Sequence, residues 1–146
     1  MANILQVDLE KLLPKLKKVS ERIQDAEDGG EYDCCDPEAM YEQAMLQRIL
    51  GELTDLIPLV RQLVAPVARE GTLRKNRAGR YELASSTYFT TGSPIEFLYT
   101  YPDGDSRRES RWIYSRVEHN GSDYYIAGYP EQKMNGLWVR VKEISR

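Results

Sequence analysis

The spacing of the apolar residues changes near residue 70. Up to that point Leu, Ile and Val recur at alternating intervals of four and three, which is the spacing of one face of an amphipathic helix. Beyond it, short segments alternate apolar and polar residues, as in a β-strand with one buried face. The pattern predicts an α+β chain, with a helical half followed by a β half.

The first 70 residues predict an antiparallel helical hairpin with heptad spacing. The stripe of the first helix consists of Leu5, Leu9, Leu12, Leu16, Val19, Ile23 and Ala26. Pro14 predicts either a kink in this helix, with a start capped by Asp8, or a start near Leu13. Glycines 29 and 30 are expected to end the helix, because glycine readily adopts the left-handed conformation.

The second helix is predicted over residues 37–69. Asp36-Pro37-Glu38 is a start signal, with an N-cap acceptor, a proline at the first position and an acid in the first turn. Two helices cannot bury a stripe this wide, so either the β half or a second copy of the chain is expected to cover it. A homodimer through the hairpin is therefore one predicted partnership.

The β half predicts a small antiparallel barrel of the SH3-like type over residues 80–146, joined to the hairpin by a basic connector at 71–79. Six strands are predicted, at residues 80–83, 87–91, 95–101, 111–118, 123–128 and 137–144. Turn residues separate them, and Asn120-Gly121 is the strongest hairpin signal. In the last strand the alternation places Val139 inward and Trp138 outward.

Composition narrows the class of protein. The chain is 41% hydrophobic and 29% charged, and no apolar run approaches the roughly 20 residues that span a membrane. The N-terminus does not resemble a secretory signal, so a cytoplasmic location is expected. Cys34 and Cys35 are adjacent and His119 is the only histidine, so neither a disulfide framework, a metal site nor a cofactor is predicted.

Charge is distributed unevenly between the halves. The net charge is −6 over residues 1–70 and +3 over residues 71–146, which together make the −3 of the chain. The candidate acidic surface at the hairpin tip comprises Asp25, Glu27, Asp28, Glu31, Asp33, Asp36 and Glu38. It is interpreted either as a solvated surface or as a phosphate mimic that occupies the basic groove of a nucleic-acid-binding protein.

A second candidate surface is basic and aromatic. Its members are Arg74, Lys75, Arg77, Arg107, Arg108, Arg111, Trp138, Arg140 and Lys142. Aromatic planes stack on bases while guanidinium groups meet phosphates, so this surface favours single-stranded nucleic acid or a protein partner. The competing interpretation is that the aromatic residues build the barrel, and that nearby acids dilute the positive field.

Five segments of the β half carry a resemblance to a known family. They are GRYEL (79–83), TTGSPIEF (90–97), WIYSRVEH (112–119), DYYIAG (123–128) and GLWVRV (136–141). Over roughly residues 79–143 the chain resembles an uncharacterised family of small β domains from Gram-positive bacteria, their phages and mobile elements. The resemblance implies a small accessory protein, of a class that includes inhibitors of bacterial defence nucleases such as the anti-CRISPR proteins. It carries no catalytic residues.

No constellation of residues commits the chain to a reaction. Ser115, Glu118 and His119 supply suitable side chains, but they lie within five positions of one another, with His119 expected in a loop. We therefore predict a non-enzymatic binding protein that regulates or inhibits a nucleic-acid-handling protein, for example a CRISPR nuclease. The alternatives are a direct nucleic-acid-binding accessory protein and a dimeric structural or assembly adaptor.

Overall fold

The chain folds as two units with different secondary structure. The computed structural model describes residues 3–30, 34–84, 87–100 and 110–144. One compact unit ends at Pro66 and the other spans Val67–Glu143. In the described ranges the first contains two helices and the second contains antiparallel strands, so the predicted α+β class is confirmed.

Helix α1 (Ile4–Gly29) begins earlier than the sequence predicted. The Asn3 side-chain oxygen accepts a hydrogen bond of 3.0 Å from the backbone N–H of Gln6, which satisfies one of the unpaired donors of the first turn. Pro14 lies inside the helix. The predicted starts at Asp8 or Leu13 were therefore wrong, because Asn3 supplies a cap upstream of both.

The turn between the helices follows its predicted signals. Gly30 has a φ of 63° in the left-handed region, and its N–H donates to the Glu27 carbonyl at 3.2 Å. The Asp36 carboxylate accepts a hydrogen bond of 3.1 Å from the Glu38 N–H. Asp36 is thus confirmed as the N-cap of α2 (Pro37–Val64).

Helix α2 ends at Val64, five residues before its predicted end at residue 69. Pro66 has no N–H to continue the helical hydrogen bonds and disfavours a helical conformation for Ala65, which is extended with a ψ of 144°. Strand β1 (Val67–Thr72) follows immediately. Residues 67–69, predicted as helix end, and residues 71, 72, 74 and 75 of the predicted basic connector therefore belong to strands.

The described residues of the second unit form eight strands in two sheets. After β1 come β2 (Arg74–Lys75), β3 (Tyr81–Glu82), β4 (Tyr88–Phe89), β5 (Pro94–Tyr99), β6 (Arg111–His119), β7 (Tyr124–Ile126) and β8 (Trp138–Lys142). The larger sheet has the order β1-β8-β5-β6-β7 and the smaller has the order β2-β3-β4. The six predicted strands are all present, whereas β1 and β2 were missed.

Both sheets are open. Strands β1 and β7 are the two edges of the larger sheet, and no sheet closes on itself within the described ranges. The closed SH3-like barrel is therefore not confirmed. The sequence pattern predicted strands and turns correctly, but closure depends on which edge strands pair, and this is a tertiary property.

The core of the β unit lies on one side of the larger sheet. Phe97, Val117, Ile126 and Val139 are fully buried there, and the smaller sheet adds Phe89. The Phe97 ring meets the Tyr129 ring edge-on at a centroid distance of 5.3 Å. This core fixes the orientation of every second residue along the strands, and so sends their neighbours to the opposite side of the sheet.

Candidate functional site

The side of the larger sheet opposite the core carries aromatic and charged residues, and we call it the outer face. The register places Glu96 of β5 beside Arg140 of β8, and Leu98 of β5 beside Trp112 of β6. Because side chains alternate between the two sides of a sheet along each strand, this register also identifies the other residues of the outer face. They are Glu70, Thr72, Glu96, Leu98, Trp112, Tyr114, Arg116, Glu118, Trp138, Arg140 and Lys142.

A buried carboxylate organises the charges of the outer face. Glu96 is only 6% exposed. Its Oε1 lies 2.5 Å from Arg140 Nε and its Oε2 lies 3.8 Å from Lys142 Nζ. A buried carboxylate is costly unless it is paired, so these two cations stabilise it. Arg140 and Lys142, predicted as contacts for phosphate or a partner, are therefore held by a residue of the same chain.

Two more pairs of polar groups lie on the outer face. Arg116 Nε lies 2.5 Å from Glu118 Oε1. The Trp138 indole N–H donates to Glu70 Oε1 at 2.7 Å. The result is a surface on which each cation has a carboxylate partner.

The aromatic residues of the outer face remain available. Trp138 and Tyr114 are each 42% exposed. The Arg140 guanidinium lies 4.3 Å from the centroid of the Trp112 ring, within the range of a cation–π interaction. Trp138 therefore faces away from the core, as the alternation predicted, and offers an apolar plane rather than a strongly positive one.

Beside Trp138 lies a cleft of about 550 Å³ in the β unit. Residues of β1, β2 and β3 line it, among them Arg69, Glu70, Arg74 and Glu82, together with Leu83 directly after β3. Arg74 is exposed, and its guanidinium makes neither an ion pair nor a hydrogen bond within the described part of the chain. The structure thus brings together two predicted residues, Trp138 and Arg74, as an aromatic wall and an available cation.

A second polar cluster involves Lys75, another predicted site residue. The Tyr81 hydroxyl donates to Asp123 Oδ2 at 3.1 Å, and Lys75 Nζ lies 3.3 Å from Asp123 Oδ1. These contacts join β2 and β3 to the segment that precedes β7. The Lys75 charge is consequently neutralised by Asp123, and its role in the fold is to hold the smaller sheet to the larger one.

Two members of this cluster and the neighbouring Tyr124 have shifted pKa values. Burial, together with donation to Asp123, raises the pKa of Tyr81 above its ordinary 10.0. Burial alone would raise the pKa of Asp123, but the Tyr124 N–H, Lys75 and Tyr81 outweigh it and lower that pKa below 3.8. Hydrogen bonds with Thr90 and Arg80 lower the pKa of Tyr124. Asp123 is therefore held as a carboxylate.

The described carboxylates of the hairpin tip lie in the helical unit. Asp25, Asp28, Asp36 and Glu38 are exposed. Two of the tip acids accept hydrogen bonds from amides, Asp28 from Gln24 at 3.1 Å and Glu27 from Gln47 at 3.0 Å. None of these five acids forms an ion pair within the described ranges, so their negative charge is uncompensated by contact.

Other predicted site residues are separate from these surfaces or outside the described ranges. Glu31, Asp33, Arg107 and Arg108 lie outside the described residues. Arg77 is exposed in the turn before β3. Arg111 begins β6, and strand alternation places it on the side opposite Trp112.

The residues considered for catalysis each engage a different partner. Ser115 Oγ donates to the Ala127 carbonyl at 2.7 Å. His119 is the last residue of β6 and not part of a loop, and its Nδ1 accepts from the Gly121 N–H at 3.0 Å. Since Glu118 pairs with Arg116, the three side chains do not form a hydrogen-bonded chain with one another.

Two further features concern metals and membranes. The described residues contain no group of three or more His, Cys, Asp or Glu placed to hold a metal ion. Cys34 and Cys35 are exposed, with their sulfur atoms 3.9 Å apart. None of the helices formed by the described residues combines the length and the apolar composition needed to cross a membrane.

Sequence comparison places a known domain in the β unit. Residues 71–141 match the family described as Domain of unknown function (DUF5348). This domain begins at the end of β1 and extends into β8, over nearly the same residues as the resemblance found in the sequence. No curated protein and no solved structure matches the chain.

Sequence reasoning missed Glu96, the residue on which the charges of the outer face converge. Its signal is a single carboxylate within the apolar strand sequence PIEFLY. An acid at such a position requires a buried partner, but that partner lies 44 residues away on β8. The strand pattern alone does not identify it.

Glu96→Gln is expected to destabilise the β unit by about 3 kcal/mol, because it leaves Arg140 and Lys142 beside a neutral group in a poorly solvated position. The measurement is urea unfolding followed by tryptophan fluorescence, since both tryptophans lie in the β unit. Glu118→Gln, which breaks a more exposed pair, is the control and should cost less than about 1 kcal/mol. Equal losses in the two variants would contradict the role assigned to Glu96.

Asp123→Asn is expected to lower stability at pH 7 by roughly 1 kcal/mol, through weaker contacts with Lys75 and Tyr81. Because the folded-state pKa of Asp123 is lowered, its contribution is present above the ordinary value of 3.8 and is lost as the pH falls through the folded value. The gap in melting temperature between wild type and variant should therefore shrink on acidification. Glu131→Gln, in the same neighbourhood, is the control, and a gap that stays constant with pH would refute the assignment.

Proposed function

We propose that the protein is a non-enzymatic binding protein that regulates or inhibits a nucleic-acid-handling protein. The observation that carries this proposal is the pairing of charges on the outer face. Nucleic-acid surfaces gain affinity from cations that neutralise phosphates, whereas Arg116, Arg140 and Lys142 already have carboxylate partners. Exposed Trp and Tyr with nearby Arg is instead the composition of protein-binding hot spots.

The negative charge of the hairpin tip supports a nucleic-acid-handling protein as the partner. Its described carboxylates lie where α1 ends and α2 begins. They are mostly exposed and have no ion-pair partner. A basic groove that binds a phosphate backbone attracts such an array by the same long-range field. The proposed partner is therefore a protein with a nucleic-acid-binding groove, and the tip competes with nucleic acid for it.

The narrower form of the proposal rests on the resemblance described above. We place the protein among accessory proteins of phages and mobile elements, as an anti-CRISPR-type inhibitor with a CRISPR nuclease as its target. The matched DUF5348 family has no activity in its description, so this narrower form rests on the resemblance and on the acidic tip. The acidic tip is the feature that makes a nuclease groove the favoured target.

Direct binding of nucleic acid is the second candidate function. Its specific support is the cleft in which Trp138 stands beside the available cation Arg74. An aromatic plane and a guanidinium group suit one or two stacked nucleotides. Direct binding predicts that the affinity for short single strands falls steeply as the salt concentration rises. The inhibitor proposal instead predicts that a protein partner is captured equally well after nuclease treatment.

Reversing the charge of the tip tests the inhibitor proposal. Asp25→Lys, Asp28→Lys and Glu38→Lys together are expected to weaken partner binding at least tenfold, because repulsion replaces attraction at the basic groove. The full chain is first used to capture its partner from nuclease-treated host lysate, and affinity for the purified partner is then measured. The control reverses Asp8, Glu10 and Glu52, which are exposed hairpin acids outside the tip. Equal affinities for the two triple variants would eliminate phosphate mimicry.

Trp138→Ala tests the outer face. Trp138 is 42% exposed, so the fold should survive its removal. Partner binding should weaken by a factor of ten or more, as for an aromatic anchor that becomes buried in an interface. Tyr88→Ala, at a 52% exposed aromatic residue of the smaller sheet, is the control and should leave binding unchanged. Calorimetric titration of the purified partner gives both affinities. Wild-type affinity in Trp138→Ala would remove the outer face from the proposal.

A further inference from the structure

The interior of the helical hairpin is small. Ile23, Leu53 and Ile57 are its buried core, with Leu16 and Leu50 among the partly buried residues packed on them. Only half of the heptad stripe of α1 therefore packs inside the hairpin. Leu9, Leu16 and Ile23 face the partner helix, whereas Leu12 is 42% exposed and Val19 is 45% exposed.

Helix α2 repeats this division. Leu53, Ile57 and Val60 are buried, and a second row, with a residue every seventh position, is not. That second row consists of Ile49 at 43%, Leu56 at 44% and Leu63 at 45% exposure. Each helix thus has one apolar row in the hairpin interior and another beside it that the chain leaves accessible.

The two exposed rows lie on the same side of the hairpin. At about 100° per residue, each is rotated by roughly 60–100° from its inward row, in the same rotational sense. The helices are antiparallel, since Glu27 bonds Gln47 near the tip while Ile23 packs with Leu53 farther from it. Because the two helices face each other and run in opposite directions, a rotation of the same sense about each helix axis brings both exposed rows to the same side of the hairpin.

The opposite side of the hairpin is polar. Gln24, Gln47 and Thr54 line a cleft of about 520 Å³ there, together with Asp28 and Gly51. The hairpin therefore has one apolar side, formed by Leu12, Val19, Ile49, Leu56 and Leu63, and one polar side. A two-helix layer with this asymmetry is half of a four-helix bundle.

The apolar side is large enough for a small dimer interface. With Leu5, which is 66% exposed, the exposed rows cover residues 5–19 of α1 and 49–63 of α2, about 22 Å of each helix, and two helices side by side are about 20 Å wide. With the side chains at both ends included, the side presents about 500 Å², so two copies together bury about 1,000 Å², the lower limit for a specific interface.

We propose that a second copy of this chain covers the apolar side, so that two hairpins form an antiparallel four-helix bundle. A copy supplies a face of matching length and spacing, with exposed rows that repeat every seven residues. The dimer contact is independent of the proposed function, because the apolar side contains residues of neither the acidic tip nor the outer face; only the orientation of the two copies is argued from the charge of the tip.

Charge determines the orientation of the two copies. The described tip residues, 21–30 and 34–42, include seven acids and one arginine, a net charge of −6. Residues 4–18 of α1 contain four lysines and two acids, a net charge of +2. Two tips at one end would repel, whereas reversing one hairpin separates the tips by about 40 Å and brings each toward the more positive half of the other. The copies therefore pack tip to base.

Solution mass tests the dimer. Sedimentation equilibrium of the full chain is expected to give twice the mass of the chain. Leu56→Glu should give the mass of one chain, because it places a charge in the centre of the apolar side. Thr54→Glu, two residues away on the polar side, is the matched control and should remain dimeric, with circular dichroism showing equal helix content in both variants. A monomeric wild type, or a dimeric Leu56→Glu variant, would overturn the proposal.

The native cysteines report the orientation. Cys35→Ser leaves Cys34 as a single exposed thiol near the tip, available for a spin label. Pulsed electron paramagnetic resonance on the dimer should give a distance of about 40 Å between the two labels, roughly the length of a hairpin. A distance below about 20 Å would place the tips together and refute the tip-to-base arrangement.

Discussion

The pairing of β8 with β1 on one side and β5 on the other is the interaction on which the β unit depends. Through it, the last strand in the sequence joins the first, and its alternation decides which residues enter the core. Val139 is fully buried, and the next residue, Arg140, reaches Glu96 on the opposite side of the sheet. The core and the outer face are therefore two consequences of one register.

That register also determines the electrostatics of the outer face. Taken along the chain, Arg140 and Lys142 beside Trp138 resemble a surface for phosphates. Across the sheet, both cations belong to a buried carboxylate, and a cation held by a buried partner is less available to a ligand. Among the charged predicted site residues that the structure describes, those without an ion-pair partner are the acids of the hairpin tip and the cations Arg74 and Arg77. The proposed function follows from this distribution of paired and unpaired charge.

Local signals predicted much of the fold. The cap at Asp36, the turn at Gly30 and six strands were correct because each depends on residues within a few positions. The end of α2 was not, since apolar residues continue past Pro66 in a spacing that also suits a helix. Those residues pair with β8 from the other end of the unit, and no local pattern contains that partner.

The sequence by itself determined the division into a helical and a β half, the caps and turns, and which residues of β8 face inward. These follow from side-chain periodicity and local hydrogen bonds. Only the tertiary structure decided that the sheets stay open, that Glu96 neutralises Arg140 and Lys142, and that half of each heptad stripe is left exposed. Strand pairing, charge pairing and burial join residues distant in the chain, so their outcome depends on positions in space.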